Sequence, residues 1–141
     1  MNRLTSFFLV FAALLLLAIG STILLVPHAF YASDGIMLGN DPSLLSEIRA
    51  PGGLLASSGL LIFLGAFRAH LRSLSITLSV LVYGAFGLSR LVGFTLDGSP
   101  SNNLVMATGV ELTVAAIGLV ILCRQPGADS TVSAYKLRKQ I

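Results

Sequence analysis

The sequence predicts an all-α fold: an integral membrane four-helix bundle in an up-down-up-down arrangement. Hydrophobic residues make up 55% of the 141 residues and charged residues only 11%, whereas soluble domains carry about 45–50% apolar and about 25% charged residues. Four apolar runs are each long enough to cross a hydrocarbon core of roughly 30 Å, which takes about 20 helical residues. Strands are disfavoured, because an open sheet edge in lipid leaves backbone groups unpaired.

Charges, prolines and turns delimit the predicted segments. One domain is expected at 1–124, and its parts are the spans at 4–26, 51–68, 74–96 and 104–123 and an outer loop at 27–50, followed by a basic cytoplasmic tail at 125–141. The first span follows Arg3 and stops at Pro27. It is longer than the roughly 7 to 15 apolar residues of a signal peptide, so a retained anchor is predicted.

The second span has two possible starts. Asp41 followed by Pro42 is typical of a helix start, with Asp41 as N-cap and Pro42 at the first helical position. A helix that begins there contains Pro51 and is expected to kink at it, because proline lacks the N–H that bonds to the preceding turn. The outer segment before it is predicted to mix turns with a lid-like surface stretch. Phe30 and Tyr31 are assigned to an aromatic belt at the membrane surface rather than to a ligand.

Small and polar residues share one face on each of the last three spans, and these faces are predicted to point into the bundle. They are Gly52, Ala56 and Gly59 on the second span, Ser79, Tyr83, Gly87 and Arg90 on the third, and Thr108, Glu111, Ala115 and Gly118 on the fourth. The opposite face of the fourth span, with Val110 and Val114, is expected to point away from the bundle.

The basic residues predict the orientation. Seven of the nine lie at the N-terminus, after the second span or at the C-terminus: Arg3, Arg68, Arg72, Arg124, Lys136, Arg138 and Lys139. By the positive-inside rule these segments are cytoplasmic, so a multi-pass protein of the plasma (inner) membrane with both termini inside is predicted. The same distribution explains the net charge of +3 by membrane orientation. No nucleic-acid partner is predicted, because the basic residues flank apolar runs.

The sequence contains no complete catalytic, nucleotide or metal motif. Cys123 is the only cysteine, which excludes an intramolecular disulfide and a Cys-based zinc spacing. Neither a metal nor a cofactor is predicted, and whether the chain is an enzyme stays open.

Five charged residues near the outer side form a candidate polar site. Glu111 is placed roughly 12 Å along the fourth span and Arg90 roughly 7 to 8 Å inside the third, so their depths allow contact. Glu47, Arg49 and Asp97 are expected at the outer mouth of the bundle, beside that pair. Ionisable groups in membrane spans usually pair inside a bundle or line a wet cavity. Two interpretations stay open: an ion network that only fixes helix register, or a pocket for the polar head of a lipophilic ligand.

Several motifs together resemble one known family. They are the stretch Leu45-Ser46-Glu47-Ile48-Arg49-Ala50-Pro51-Gly52-Gly53, the later Ser89-Arg90-Leu91 with Asp97-Gly98, and Glu111. They resemble a family of small bacterial four-helix membrane proteins known as domain of unknown function 4345, which is broadly similar to the DoxX type. The resemblance covers roughly residues 4–124. It implies the four-helix architecture and brings no established activity.

Three functional hypotheses follow. The first is a non-enzymatic binding or accessory subunit, in contact with the lipid bilayer and, through small-residue faces, with a second copy or another membrane protein. The second is a membrane-embedded enzyme, or a binder of a lipophilic small molecule such as a quinone or lipid, that uses an outward-facing Glu/Arg site. The third, a proton-coupled carrier, ranks last because broken helices in matching halves are absent apart from Pro51.

Overall fold

All regular elements between residues 3 and 124, the part of the chain that this computed structural model describes, are helical. They are α1 (Arg3–Leu25), α2 (Pro27–Ala32), α3 (Pro42–Phe67), a 3₁₀ turn (Ala69–Leu71), α4 (Arg72–Leu96) and α5 (Asn102–Cys123). Within this range four helices are long and apolar enough to cross a membrane, with α4 counted together with the 3₁₀ turn. The all-α prediction is confirmed for the described residues, and the predicted tail lies outside them.

Helix α3 has the earlier of its two possible starts. It begins at Pro42 rather than at residue 51, and the Asp41 carboxylate accepts a hydrogen bond of 2.9 Å from the Leu44 N–H. This cap satisfies one of the N–H groups that a helix start leaves without a partner. Pro51 therefore lies inside α3. Residues 27–50 are not a loop throughout, because α2 and the first turns of α3 occupy most of that segment.

Close backbone contact joins α1 to α3. A Cβ added to Gly52 would lie 2.9 Å from the backbone N of Leu24, and one added to Gly59 would lie 2.9 Å from that of Leu17. A Cβ on Gly20 would meet the Gly52 carbonyl oxygen at 2.7 Å. The small-residue face predicted for the second span is thus a helix-packing surface, as small residues at such spacing allow.

Helix α4 turns its predicted polar face inward. Its buried residues include Ser79, Tyr83 and Gly87, and the Ser79 hydroxyl donates to the Ser75 carbonyl at 2.8 Å. On α5 the predicted inward residues Thr108 and Gly118 are buried. Val114 was expected on the outward face and is buried as well, at 3% exposure. It belongs to the apolar core because α5 also meets α1.

The long helices are packed as two pairs. Helix α1 packs mainly on α3 and helix α4 on α5, while α3 and α4 join the pairs. Helices α1 and α5 touch only lightly, around Gly118, where an added Cβ would lie 3.2 Å from the Phe8 ring and 2.9 Å from Val80. Away from that contact, a gap remains between α1 and α5.

Candidate functional site

The gap widens into a cavity of about 490 Å³ at the end of the bundle where α2 lies, referred to below as the α2-end cavity. Its walls are mostly apolar side chains from α1, α3, α4 and α5, among them Leu15, Ile19, Ile23, Leu55, Val82, Phe86, Ala107 and Val110. Its polar lining comprises Tyr31, Ser33, Asp34, Tyr83, Arg90, Asn103 and Glu111. Small-molecule sites in proteins have this character, with volumes of about 300–1,000 Å³ and a few polar groups in an apolar wall.

Tyr83 lies between the cavity and the protein core. Its side chain is 3% exposed, and its hydroxyl donates a hydrogen bond of 2.6 Å to the Ala12 carbonyl of α1. The donor is therefore satisfied, as buried tyrosine hydroxyls usually are. Tyr83 ties α4 to α1 and forms part of the cavity wall, in agreement with its prediction as a core residue.

An ion pair forms the polar end of the cavity. The Arg90 Nε atom of α4 lies 3.1 Å from Oε2 and 3.3 Å from Oε1 of Glu111 on α5. Gly87 makes this approach possible, because a Cβ there would lie 2.7 Å from the Leu112 side chain and 3.4 Å from the Cβ of Glu111. The side chains are 30% and 13% exposed, respectively. The structure thus brings together the two charges that the sequence placed at similar depths in neighbouring spans.

Arg90 engages Glu111 through one edge only. Both hydrogen bonds start from Nε, and within residues 3–124 the two Nη groups have no hydrogen-bond partner. A guanidinium carries five N–H donors in a fixed planar fork. Four of them therefore stay available on a side chain that lines the α2-end cavity.

Arg49 takes a different role from the one expected. Its Nη1 atom donates a hydrogen bond of 2.8 Å to the Leu24 carbonyl, near the end of α1, and the side chain does not line the α2-end cavity. Pro27, three residues after Leu24, has no N–H to offer that carbonyl. A cation at a helix C-terminus is also favoured by the helix dipole. Arg49 caps α1, and the expectation that it stands beside Arg90 is wrong.

Glu47 and Asp97 also stay outside the α2-end cavity. Both are exposed, neither lines the cavity, and neither forms an ion pair with another residue of the 3–124 range. Two positions apart on one helix, Glu47 and Arg49 point to different faces. Asp97 follows the last turn of α4, where its N–H donates to the Gly93 carbonyl at 2.8 Å. The predicted five-residue cluster therefore reduces to the pair Arg90 and Glu111.

A short segment after α1 covers the cavity. Helix α2 and the residues that follow it contribute Phe30, Tyr31, Ser33 and Asp34 to the lining, and they are referred to below as the lid. The rings of Phe30 and Tyr31 meet edge to face, with centroids 5.4 Å apart. The Asn103 side chain at the start of α5 donates to the Ser33 carbonyl at 3.3 Å. The two rings thus line the cavity, and their place in an aromatic belt stays a prediction.

Local chain signals account for the lid. Pro27 occupies the first turn of α2, a position that suits proline, so the residue that ends α1 also starts the next helix. Gly35, with φ of +78°, then reverses the chain, and the Ile36 N–H bonds back to the Tyr31 carbonyl at 3.0 Å. This is the left-handed glycine stop that commonly follows a helix. Sequence reasoning predicted a lid-like stretch in this segment but missed its helix α2, because it took Pro27 only as a stop.

Metal-binding geometry is not found in the described part of the chain. Between residues 3 and 124, no three His, Cys, Asp or Glu side chains cluster as metal ligands would. Cys123, at the end of α5, is free and exposed.

Comparison with known proteins gives a family match. The family model described as domain of unknown function (DUF4345) matches residues 4–122, which include all of α2 to α4 and all but the first residue of α1 and the last residue of α5. No curated protein and no solved structure matches the sequence.

Proposed function

The chain belongs to the DUF4345 family, and from that premise we propose that it is a multi-pass inner-membrane protein that acts as a non-enzymatic binding subunit. The observation that carries the proposal is the α2-end cavity. An apolar chamber of about 490 Å³ contains one ion pair at 3.1 Å and is covered by a lid tied to α5. Such a chamber suits binding of a small molecule within the bundle.

The contacts support an up-down-up-down arrangement. Along α3, Gly52 lies near Leu24 and Gly59 near Leu17, so the residue numbers fall on one helix as they rise on the other. Antiparallel neighbours produce this pattern. With the basic residues of the sequence on the cytoplasmic side, both termini are inside and the lid faces outward.

A binding role without catalysis is supported by the hydrogen bonds that the polar side chains of the α2-end cavity already make. The Glu111 carboxylate already accepts the Nε hydrogen bonds of Arg90, and the Tyr83 hydroxyl donates its hydrogen bond to the Ala12 carbonyl. A general base must reach the proton that it abstracts, and a nucleophile needs an adjacent base. Among the described residues both groups already have partners, so an enzyme that uses Glu111 has less support than a binding role.

An accessory role has a second possible surface on α5. This helix is the least buried of the four long helices, and its exposed large side chains are Val105, Met106, Val110, Ile117, Leu119 and Val120. A membrane helix face of this kind packs against lipid or against another subunit.

Site-directed photo-crosslinking tests the proposed binding role. A leucine-sized diazirine residue is placed in membranes of living cells at Leu104, which lines the α2-end cavity, or at Leu119, half exposed on the same helix. We expect a discrete adduct from position 104 that position 119 does not give, identified by mass spectrometry. Adducts of the same bulk phospholipids at both positions would overturn the proposal.

A further inference from the structure

The hydrogen-bond donors of Arg90 that Glu111 does not use determine which ligand head groups suit the α2-end cavity. Arg90 uses Nε for Glu111, and its Nη groups bond to no residue between 3 and 124. The Arg90 side chain is 30% exposed, so a ligand that displaces water from these donors must replace the hydrogen bonds that the water accepts. The head of a ligand placed there must therefore carry a hydrogen-bond acceptor, which a cationic ammonium lacks.

The charges around the Nη groups argue against an anionic head. The Arg90 charge is already balanced by Glu111 at 3.1 Å, and Asp34 of the lid also lines the cavity. No Lys and no other Arg contributes to its lining. A carboxylate or phosphate on Arg90 would thus lie close to the like charge of Glu111 and share the cavity with that of Asp34, and like charges destabilise each other.

An apolar cleft with room for a ligand tail adjoins the α2-end cavity. Between α1 and α5 runs a second cleft of about 470 Å³, lined by residues such as Phe8, Phe11, Met106 and Ile117. Val110 lines both the cleft and the cavity. From Leu104 to Ile117 the helix rises roughly 20 Å, which matches a long acyl chain. The cleft is more open than the cavity and lies where α1 and α5 barely touch.

From these observations we infer that the protein binds an uncharged long-chain lipophile whose head carries a carbonyl group, as a ketone or ester does. The Arg90 Nη groups donate to that carbonyl, and the tail lies along the cleft between α1 and α5. This inference rests on the proposed binding function and adds the chemical class of the ligand.

A competition experiment on the full chain tests this class. The purified protein in lipid nanodiscs is crosslinked with a hexadecan-2-one analogue that carries a diazirine in its tail. Unlabelled hexadecan-2-one, hexadecanoate, hexadecylammonium and hexadecane then compete. We expect the ketone to suppress crosslinking at a concentration about tenfold or more below the other three. Hexadecane and hexadecylammonium lack the hydrogen bond to a charged group, which accounts for such a factor, and hexadecanoate meets the like charge of Glu111.

Two variants tie the effect to the site. The double variant Arg90→Gln/Glu111→Gln removes both charges together and is expected to weaken ketone competition about tenfold. Ala107→Trp fills the cavity that Ala107 lines and should abolish ketone competition. Ala116→Trp, at an exposed position of the same helix, should leave ketone competition unchanged. If the double variant does not fold, the tryptophan pair still decides.

Several results would overturn the ligand class. They are equal or better competition by hexadecanoate or hexadecylammonium, equal competition by hexadecane, or unchanged ketone binding in Ala107→Trp. If these occur while position 104 still gives its discrete adduct in cells, the binding role stands and only the ligand class is wrong. If that adduct is absent too, both proposals fail.

Discussion

Arg90 and Glu111 form a partly buried ion pair between two helices, with side chains 30% and 13% exposed. Such pairs add little net stability, because desolvation offsets most of their attraction. Removing one partner is nevertheless costly, since it leaves the other charge without compensation. Loss of the partner is expected to cost more stability when the charge that remains is Glu111, the less exposed of the two.

A double-mutant cycle tests this asymmetry. We expect Arg90→Gln to lower the free energy of unfolding by about 2–4 kcal/mol and Glu111→Gln by about 1–2 kcal/mol. The double variant should lose less than the sum, with a coupling of about 1–2 kcal/mol. Unfolding in mixed micelles, followed by circular dichroism, measures all three.

Glu47→Gln is the matched control for the cycle. Glu47 is exposed and forms no ion pair within the described range, so a change of no more than about 0.5 kcal/mol is expected. Strict additivity of the two single variants would mean that the pair does not couple α4 to α5.

At the scale of helices, the α1–α3 contact depends on glycines at particular positions. A Cβ on Gly52 would lie 2.8 Å from the Ile23 side chain and 2.9 Å from the Leu24 backbone N. A Cβ on Gly53, the next residue, would meet nothing within 4 Å. Neighbouring glycines therefore differ sharply in what a methyl group would do there.

Alanine substitution at these two glycines separates packing from helix propensity. We expect Gly52→Ala to destabilise the protein by about 1–3 kcal/mol, because α1 must shift away from α3. Gly53→Ala should be neutral or stabilising by up to about 1 kcal/mol, since alanine is the better helix former. The same micellar unfolding assay compares them. Equal losses would show that the close α1–α3 approach does not limit stability.

At the scale of the whole molecule, the bundle is closed on one side and loose on the other. Helices α1 and α3 pack tightly, as do α4 and α5, while α1 and α5 meet only lightly around Phe8 and Gly118. The α2-end cavity and its cleft lie along that loose side. Local opening is easiest where few contacts must break, so ligand exchange is expected between α1 and α5.

The proposed orientation makes a prediction for the whole chain. In a Cys123→Ser background, Asn40→Cys lies before α3 and His70→Cys lies in the turn before α4, and both positions are exposed. A membrane-impermeant maleimide added to intact cells should label the cysteine at 40, and label the one at 70 only after permeabilisation. Labelling at 40 solely from the cytoplasmic side would reverse the topology.

The helical architecture was predictable from local properties of the chain. Apolar runs, the Asp41–Pro42 start and the inward polar face of α4 depend on residues close together in sequence, and helix periodicity converts them directly into structure. The depths of Arg90 and Glu111 follow from the same counting at 1.5 Å per residue. Contact between these two side chains could therefore be predicted from the sequence.

The rest depended on how distant segments meet. Arg49 and Asp97 were expected at the outer mouth beside Arg90, yet Arg49 bonds to the Leu24 carbonyl and Asp97 stays exposed. The lid over the α2-end cavity requires both the Gly35 reversal and the Asn103 hydrogen bond to Ser33. Such outcomes are set by competition among partners far apart in sequence, which hydropathy and spacing along a single chain do not contain.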